Sequence, residues 1–176
     1  ISTERVMMFD IETTGLSPDR SFIYMIRINI RKSDGWEVKL LFNDDGQSEP
    51  EIIKTFQDEL LSHDILIEFN GDQFDINFVK RRMAHIKRVT GITIEDNFST
   101  VRSVDLMKLI RPYKFALGLP NIKQKTIERF LGINREDQFN GVQLIDVYLD
   151  YLSTKDETAK HLVVQHNRDD MVGMMY

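Results

Sequence analysis

The sequence predicts an α/β fold, a mixed sheet of about five strands with a three-strand antiparallel meander, further parallel strands, and helices on both faces. Two observations carry this prediction. Three runs rich in β-branched and aromatic residues follow one another between Val6 and Phe42, and shorter apolar runs then alternate with segments of helical period. The chain has 176 residues, 41% of them hydrophobic, with only 4 Pro and 9 Gly, which suits one globular domain with a proper core.

The first strand runs into Phe9 from Val6, and its end carries Asp10 and Glu12. The turn Thr13-Thr14-Gly15 closes it. Phe22–Ile30 and Trp36–Phe42 form a hairpin across Lys32-Ser33-Asp34-Gly35. An acidic loop from Asp44 to Pro50 leads to a helix over Glu51–Ser62, in which Ile52, Ile53, Phe56, Leu60 and Leu61 recur at helical spacing. Asp64–Phe69 is short and apolar and reads as a central parallel strand reached by that helix. Asn70–Asp75 opens a basic amphipathic helix to about Val89, with Phe78, Val79, Met83 and Ile86 inward and Lys80, Arg81, Arg82, Lys87 and Arg88 mostly outward. Thr90–Ser99 is polar and has no clear period. Val101–Leu106 is a further strand ending at Asp105, and the rest is helical: a turn at Met107–Ile110, then Asn121–Leu131 stopped by Gly132, Val142–Leu152, and Glu157 to the end.

A net charge of −5 argues against a protein that grips nucleic acid by overall charge, but not against a local groove. With no cysteine there is neither a disulfide framework nor a thiolate zinc site. The sequence has no membrane-length apolar run and no signal-peptide pattern at its start, so a soluble, cytoplasmic domain is expected. Its start without Met and its stop within a helical pattern read as a piece of a longer polypeptide.

The end of the first strand carries the chemistry. Side chains two apart on a strand share a face, so Asp10 and Glu12 stand together and repel. Keeping both ionised beside a core calls for a cation, and paired carboxylates suit hard divalent metals such as Mg²⁺ or Mn²⁺. An isolated Asp-x-Glu is usually just a solvated strand end. Two further polar segments change the balance: Asn70-x-x-x-Phe74-Asp75, and His166-Asn167-Arg168-Asp169-Asp170 in the last helix, where His166 and Asp170 share a face four residues apart.

In order and spacing, Phe9-Asp10-Ile11-Glu12-Thr13-Thr14-Gly15-Leu16 and these two segments resemble the three motifs of the DEDD (DnaQ-like) 3′-5′ exonucleases on the ribonuclease-H-like fold. The closing His-Asn-x-x-Asp, with Leu131-Gly132-Ile133 and Lys123-Gln124-Lys125 before it, most resembles the YprB-like branch. The resemblance implies a two-metal hydrolysis of phosphodiester bonds at the 3′ end of single-stranded DNA or RNA, with Asp10, Glu12, Asp75 and Asp170 holding two Mg²⁺ or Mn²⁺ ions and His166 as general base. It further implies substrate contacts from Thr13, Gly15, Leu16, Asn70, Phe74 and Lys123. The third motif departs from the usual patterns: the histidine-type position five before the last Asp is Gln165, and His166 stands at the tyrosine-type spacing. Asp169 competes with Asp170 as ligand, and the full turn from His166 favours Asp170. Asn70 is also a natural turn residue, Phe74 a natural core residue, Lys123 a natural solvated lysine, and Asp105 either a supporting acid or a helix N-cap. Two other readings stand beside the exonuclease: a nucleic-acid-binding domain without turnover, and an endonuclease using the same acids.

Overall fold

Strand β1 (Val6–Thr13) lies at the middle of a five-stranded sheet in the order β3-β2-β1-β4-β5, in a computed structural model that describes residues 5–133, 135, 139 and 141–176. β2 (Ile23–Lys32) pairs antiparallel with β1 and with β3 (Gly35–Phe42), which is the expected meander. β4 (Ile65–Glu68) runs parallel to β1, and β5 (Arg102–Asp105) parallel to β4. The parallel crossovers are helical: α1 (Glu49–Leu60) returns the chain to β4, and α2 (Asp75–Thr90) leads through an extended segment to β5. After β5 come α3 (Leu106–Ile110), α4 (Gln124–Phe130), α5 (Gly141–Thr154) and α6 (Glu157–Gly173).

The period of two along β1 divides the core between the two faces of the sheet. Met7, Phe9 and Ile11 pack with Ile52, Ile53, Phe56 and Leu60 of α1 and Phe78, Val79, Met83 and Ile86 of α2. Phe9 stacks on Phe56 with ring centroids 4.8 Å apart. Met8 faces the other way, onto Met171 and Met174, while Tyr24 and Met25 pack against Tyr148 of α5 and Val163 of α6. Asp10 and Glu12 follow Met8 in register. They therefore project from the α6 side, at the carboxyl end of a central strand, where ligand sites on α/β sheets lie.

Two local expectations are corrected. The loop before α1 ends at Ser48, not Pro50, because proline fits the first helical turn, where its missing N–H has no intrahelical acceptor to lose. Arg82 does not point outward with its basic neighbours. It is buried against Glu49 of α1, whose carboxylate takes its Nε at 2.8 Å and Nη2 at 2.6 Å, while Nη1 donates to the Pro18 carbonyl at 2.7 Å. Among the described residues, no helix is long and apolar enough to cross a membrane.

Candidate functional site

Three elements bring polar side chains to the end of β1. From the strand come Asp10 and Glu12, the latter buried; from the first turn of α2 comes Asp75, also buried; and from α6 come His166 and Asn167, both buried, with Asp170 half-exposed beside them. The local reason on α6 is helical spacing: His166 and Asp170 lie one turn apart, and His166 Nε2 is 3.4 Å from Asp170 Oδ2. One ligand atom each from Glu12, His166 and Asp170 fall within 4.8 Å of one another. Asn167 Nδ2 donates to Asp10 Oδ2 at 2.7 Å and reaches Glu12 Oε1 at 3.5 Å, joining the two strand acids as the shared face required.

The electrostatics are those of crowded anions. Burial, then the charges of Asp75, Asp170 and Glu12, holds the Asp10 carboxyl well above the usual carboxylate range, opposed by Arg135. Burial pushes Asp75 up to about 7, with Glu68 and Asp170 adding to the effect and the backbone N–H groups of Asp75 and Ile11 opposing it. Glu68, fully buried behind this pair, is raised to about 7 by desolvation even though Gly71 N–H (2.6 Å) and the Ser103 hydroxyl (2.9 Å) donate to it.

The donor set fits a hard divalent cation. It is made of carboxylate oxygens and one imidazole, burial and then the neighbouring acids hold Asp10 and Asp75 away from the charged state, and the buried Oδ1 of Asn167 has no donor among the described residues. A second acidic group, Glu68, Asp72 and Asp105, lies nearby, but its members have protein partners: Asp105 caps α3 through Met107 N–H (2.9 Å) and Lys108 N–H (3.3 Å), and Lys108 bridges to Asp72. Capping is thus what Asp105 does here.

The remaining sequence candidates divide. Thr13, Gly15, Leu16 and Phe74 line, with Glu12, a cavity of about 490 Å³ that also touches Val142 and Gln143 at the start of α5. Phe74 faces both ways, since it also packs against Phe78 and the core of the α1–α2 side. Asn70 and Lys123 lie outside that cavity. Asn70 adopts a left-handed backbone (φ 64°) and its carbonyl accepts from Gln73 and Phe74 N–H, which turns the chain from β4 into α2 and so aims Asp75. Lys123 is exposed immediately before α4. Asp169 is half-buried next to the cluster, whereas Asp170 is the member that contacts His166.

Several residues around the site escaped the sequence reading. Arg27 sits opposite Asp10 in the β1–β2 register, buried, with its guanidinium donating to the Val164 carbonyl at 3.4 Å. Arg135 ion-pairs with both Asp170 and the buried Glu128 of α4, and Gln124 Nε2 ties that helix to the Asp170 carbonyl at 2.6 Å. No periodicity ties Arg135 to the acid site, because Asp170, the partner that places it there, is remote in sequence. Gly173 offers an indirect signal: a Cβ there would come within 1.9 Å of Glu128 Oε1.

Comparison with known proteins places this geometry in a wider group. The family B DNA polymerase of the hyperthermophilic archaeon Pyrobaculum calidifontis is similar at a TM-score of 0.71 and 17% identity over 99% of this chain and 24% of that one. A zinc-bound complex of E. coli exonuclease I with single-stranded DNA is similar at 0.55 and 12% identity, over 94% of this chain and 43% of that one. Another exonuclease I structure gives 0.53 and 14%, over 76% and 37%. The chain thus spans about a quarter of the polymerase and less than half of exonuclease I, and the likeness at these identities is one of fold. No curated protein sequence matches the chain. The RNase_H superfamily model matches residues 7–176, nearly the whole length over which the five-stranded sheet and its acids are built, and the chain belongs to that superfamily.

Proposed function

We propose that this chain is a metal-dependent 3′-5′ exonuclease domain of the DEDD type, nearest the YprB-like branch, acting on single-stranded DNA or RNA in the cytoplasm. The observation that supports this most is the convergence of Asp10 and Glu12 with His166, Asn167 and Asp170 of α6. Asp10, Glu12, Asp75 and Asp170 would hold two Mg²⁺ or Mn²⁺ ions. Bound there, such ions supply an activated water and stabilise charge on the leaving 3′ oxygen.

The protein's own groups divide the remaining work. Asn167 fixes the Asp10 carboxylate, and Asp170 orients His166, which takes the proton of the attacking water. The cavity beside Glu12 receives the terminal nucleotide, with Leu16 and Phe74 as apolar walls for the base and Thr13 and Gly15 at its rim. Asn70 positions Asp75 through its turn, and Lys123 meets a phosphate further along the strand.

The test uses purified protein, Mn²⁺ and a 5′-labelled single strand, DNA and RNA in parallel, beside Asp10→Ala. Stepwise shortening from the 3′ end, abolished by the substitution, is expected. Internal cleavage would select the endonuclease reading. One observation favours a binding domain without turnover, namely the Arg135 guanidinium already ion-paired to Asp170. Metal binding to the wild type without cleavage of either strand would decide for it.

A further inference from the structure

Between Asp105 and Glu128 the chain carries no acidic residue, yet it holds Lys108, Arg111, Lys114, Lys123 and Lys125, in a protein whose 28 acids outnumber its 23 lysines and arginines. Another acid-free stretch, along α2, behaves differently, because acids from elsewhere neutralise three of its five lysines and arginines: Lys80 pairs with Asp96, Arg81 with Asp19, and Arg82 with Glu49. In the 106–127 stretch, Lys108 meets Asp72, but Arg111, Lys114 and Lys123 make no ion pair among the described residues. The same stretch exposes aromatic surface, with Phe115 88% and Tyr113 61% accessible.

This surface is not a loose loop. Lys114 N–H donates to the Arg111 carbonyl, Leu117 to Tyr113, Gly118 to Phe115 and Leu119 to Lys114, with Gly118 at φ 64° and Leu119 buried as the anchor. A hydrogen-bonded knob that keeps two aromatic rings in water gives up the burial energy those rings would bring, so a ligand that covers them is favoured. Lys114 Nζ lies 5.3 Å from the Phe115 ring centroid, setting a cation beside the ring's face. Both ends of the stretch are tied to the acid site: Lys108 reaches Asp72 in the loop before Asp75, and Gln124 donates to the Asp170 carbonyl.

We propose that the knob formed by Arg111, Tyr113, Lys114 and Phe115, with Lys123 beside α4, is a second binding surface for single-stranded nucleic acid, on which the strand lies upstream of the end held at the acids. This rests on the exonuclease reading for the direction of the strand. Fixed aromatic faces interleaved with unpaired cations are what bases and phosphates of an unstructured strand bind, without regard to sequence. A bilayer surface would also take cations and aromatics, but the stretch that carries the knob is tied at both ends to the acid site, and the helices on either side of it, α3 and α4, are five and seven residues long.

The test separates this inference from the reading it rests on by measuring binding in EDTA, where no cleavage occurs. The probes are 5′-fluorescein oligothymidylate and oligouridylate of about 4 and about 20 nucleotides, lengths that bracket common single-strand site sizes. The intact chain is expected to bind the long strand at least about tenfold more tightly than the short one, and Tyr113→Ala/Phe115→Ala to reduce that advantage about tenfold or more. Arg111→Glu/Lys114→Glu is expected to flatten the salt dependence of long-strand binding, each lost cation contributing about 0.7 to the log–log slope. The rings are exposed, so these substitutions leave the core untouched. Equal affinity of wild type and ring variant, absence of strand binding by the intact chain, or binding to phosphatidylserine vesicles in place of strands would each overturn the inference. Cleavage by the wild type in Mn²⁺, measured separately, bears only on the catalytic reading.

Discussion

Replacing Arg82 with alanine tests the tertiary framework that holds the loop after β1. Its guanidinium makes three hydrogen bonds: two to Glu49 at 2.8 and 2.6 Å and one to the Pro18 carbonyl at 2.7 Å. The side chains of Arg82 and Glu49 are 8% and 7% exposed. Glu49 Oε1 also accepts from Ile23 N–H at 2.8 Å, so α1, α2, the first residues of β2 and the Gly15–Ser21 loop all meet at this pair. Arg82→Ala leaves a buried carboxylate with one backbone donor and a carbonyl with no partner. Removing one side of a buried, hydrogen-bonded pair costs about 3–5 kcal/mol. For a chain of this size, about 2–4 °C of Tm per kcal/mol gives a fall of about 6–20 °C. Arg82→Lys should recover part of this, because an ammonium restores the charge but not the fork. Glu49→Gln should cost less than Arg82→Ala, since the amide oxygen still accepts from Ile23. Urea unfolding followed by circular dichroism measures all three. A loss below about 1 kcal/mol for Arg82→Ala, at unchanged m-value, would refute the assignment of this pair as the anchor of the loop.

Further outcomes follow from the acids and their neighbours. The folded protein holds Asp75 and Glu68 at about 7 and Asp10 well above its ordinary value, so between about pH 4 and 7 the native state binds more protons than the unfolded chain. These groups therefore make metal-free stability fall as pH rises through that window, and thermal melts in EDTA from pH 5 to 8 should show the fall, with excess Mn²⁺ diminishing it. In the same window Mn²⁺ affinity should rise with pH, because binding displaces those protons; a pH-independent affinity by titration calorimetry would count against these acids as ligands. His166→Ala should lower kcat by about 10²–10⁴ on a single-stranded substrate while leaving the protein folded, whereas an unchanged rate would remove it from the proton-transfer role. Gly173→Ala, which in an ordinary helix would stabilise by up to about 1 kcal/mol, should here destabilise by about 1–3 kcal/mol because the added Cβ displaces Glu128 from Arg135. A higher melting temperature for that variant would overturn this.

What could be read along the chain is what depends on local pattern. Period-two alternation put Asp10 and Glu12 on one face, the β-rich runs marked the meander, and the apolar stripe of Phe78, Val79, Met83 and Ile86 marked the inner face of α2. The turn at Asn70 and the His166–Asp170 spacing were equally local, so the acids and the imidazole that the fold brings together could each be picked out along the chain, whereas the contacts of Asn167 and Arg135 with them could not. Long-range partners were not. Arg82 looks like its neighbours Lys80 and Arg81 until α1 brings Glu49 beneath it, and Arg135 carries no signal because its place at the site is set by Asp170, which is remote in sequence. The register that sets Arg27 opposite Asp10, the burial and crowding that lift Asp10 and Asp75, and the ion pairs that neutralise Lys80, Arg81 and Arg82 but leave Arg111 and Lys114 without one among the described residues were decided only when the chain folded. Sequence by itself determined the period of each element and the apolar stripe it buries; the tertiary structure decided which charges meet and that Arg82 turns inward, because Coulomb and desolvation energies depend on distances through space that separation along the chain does not encode.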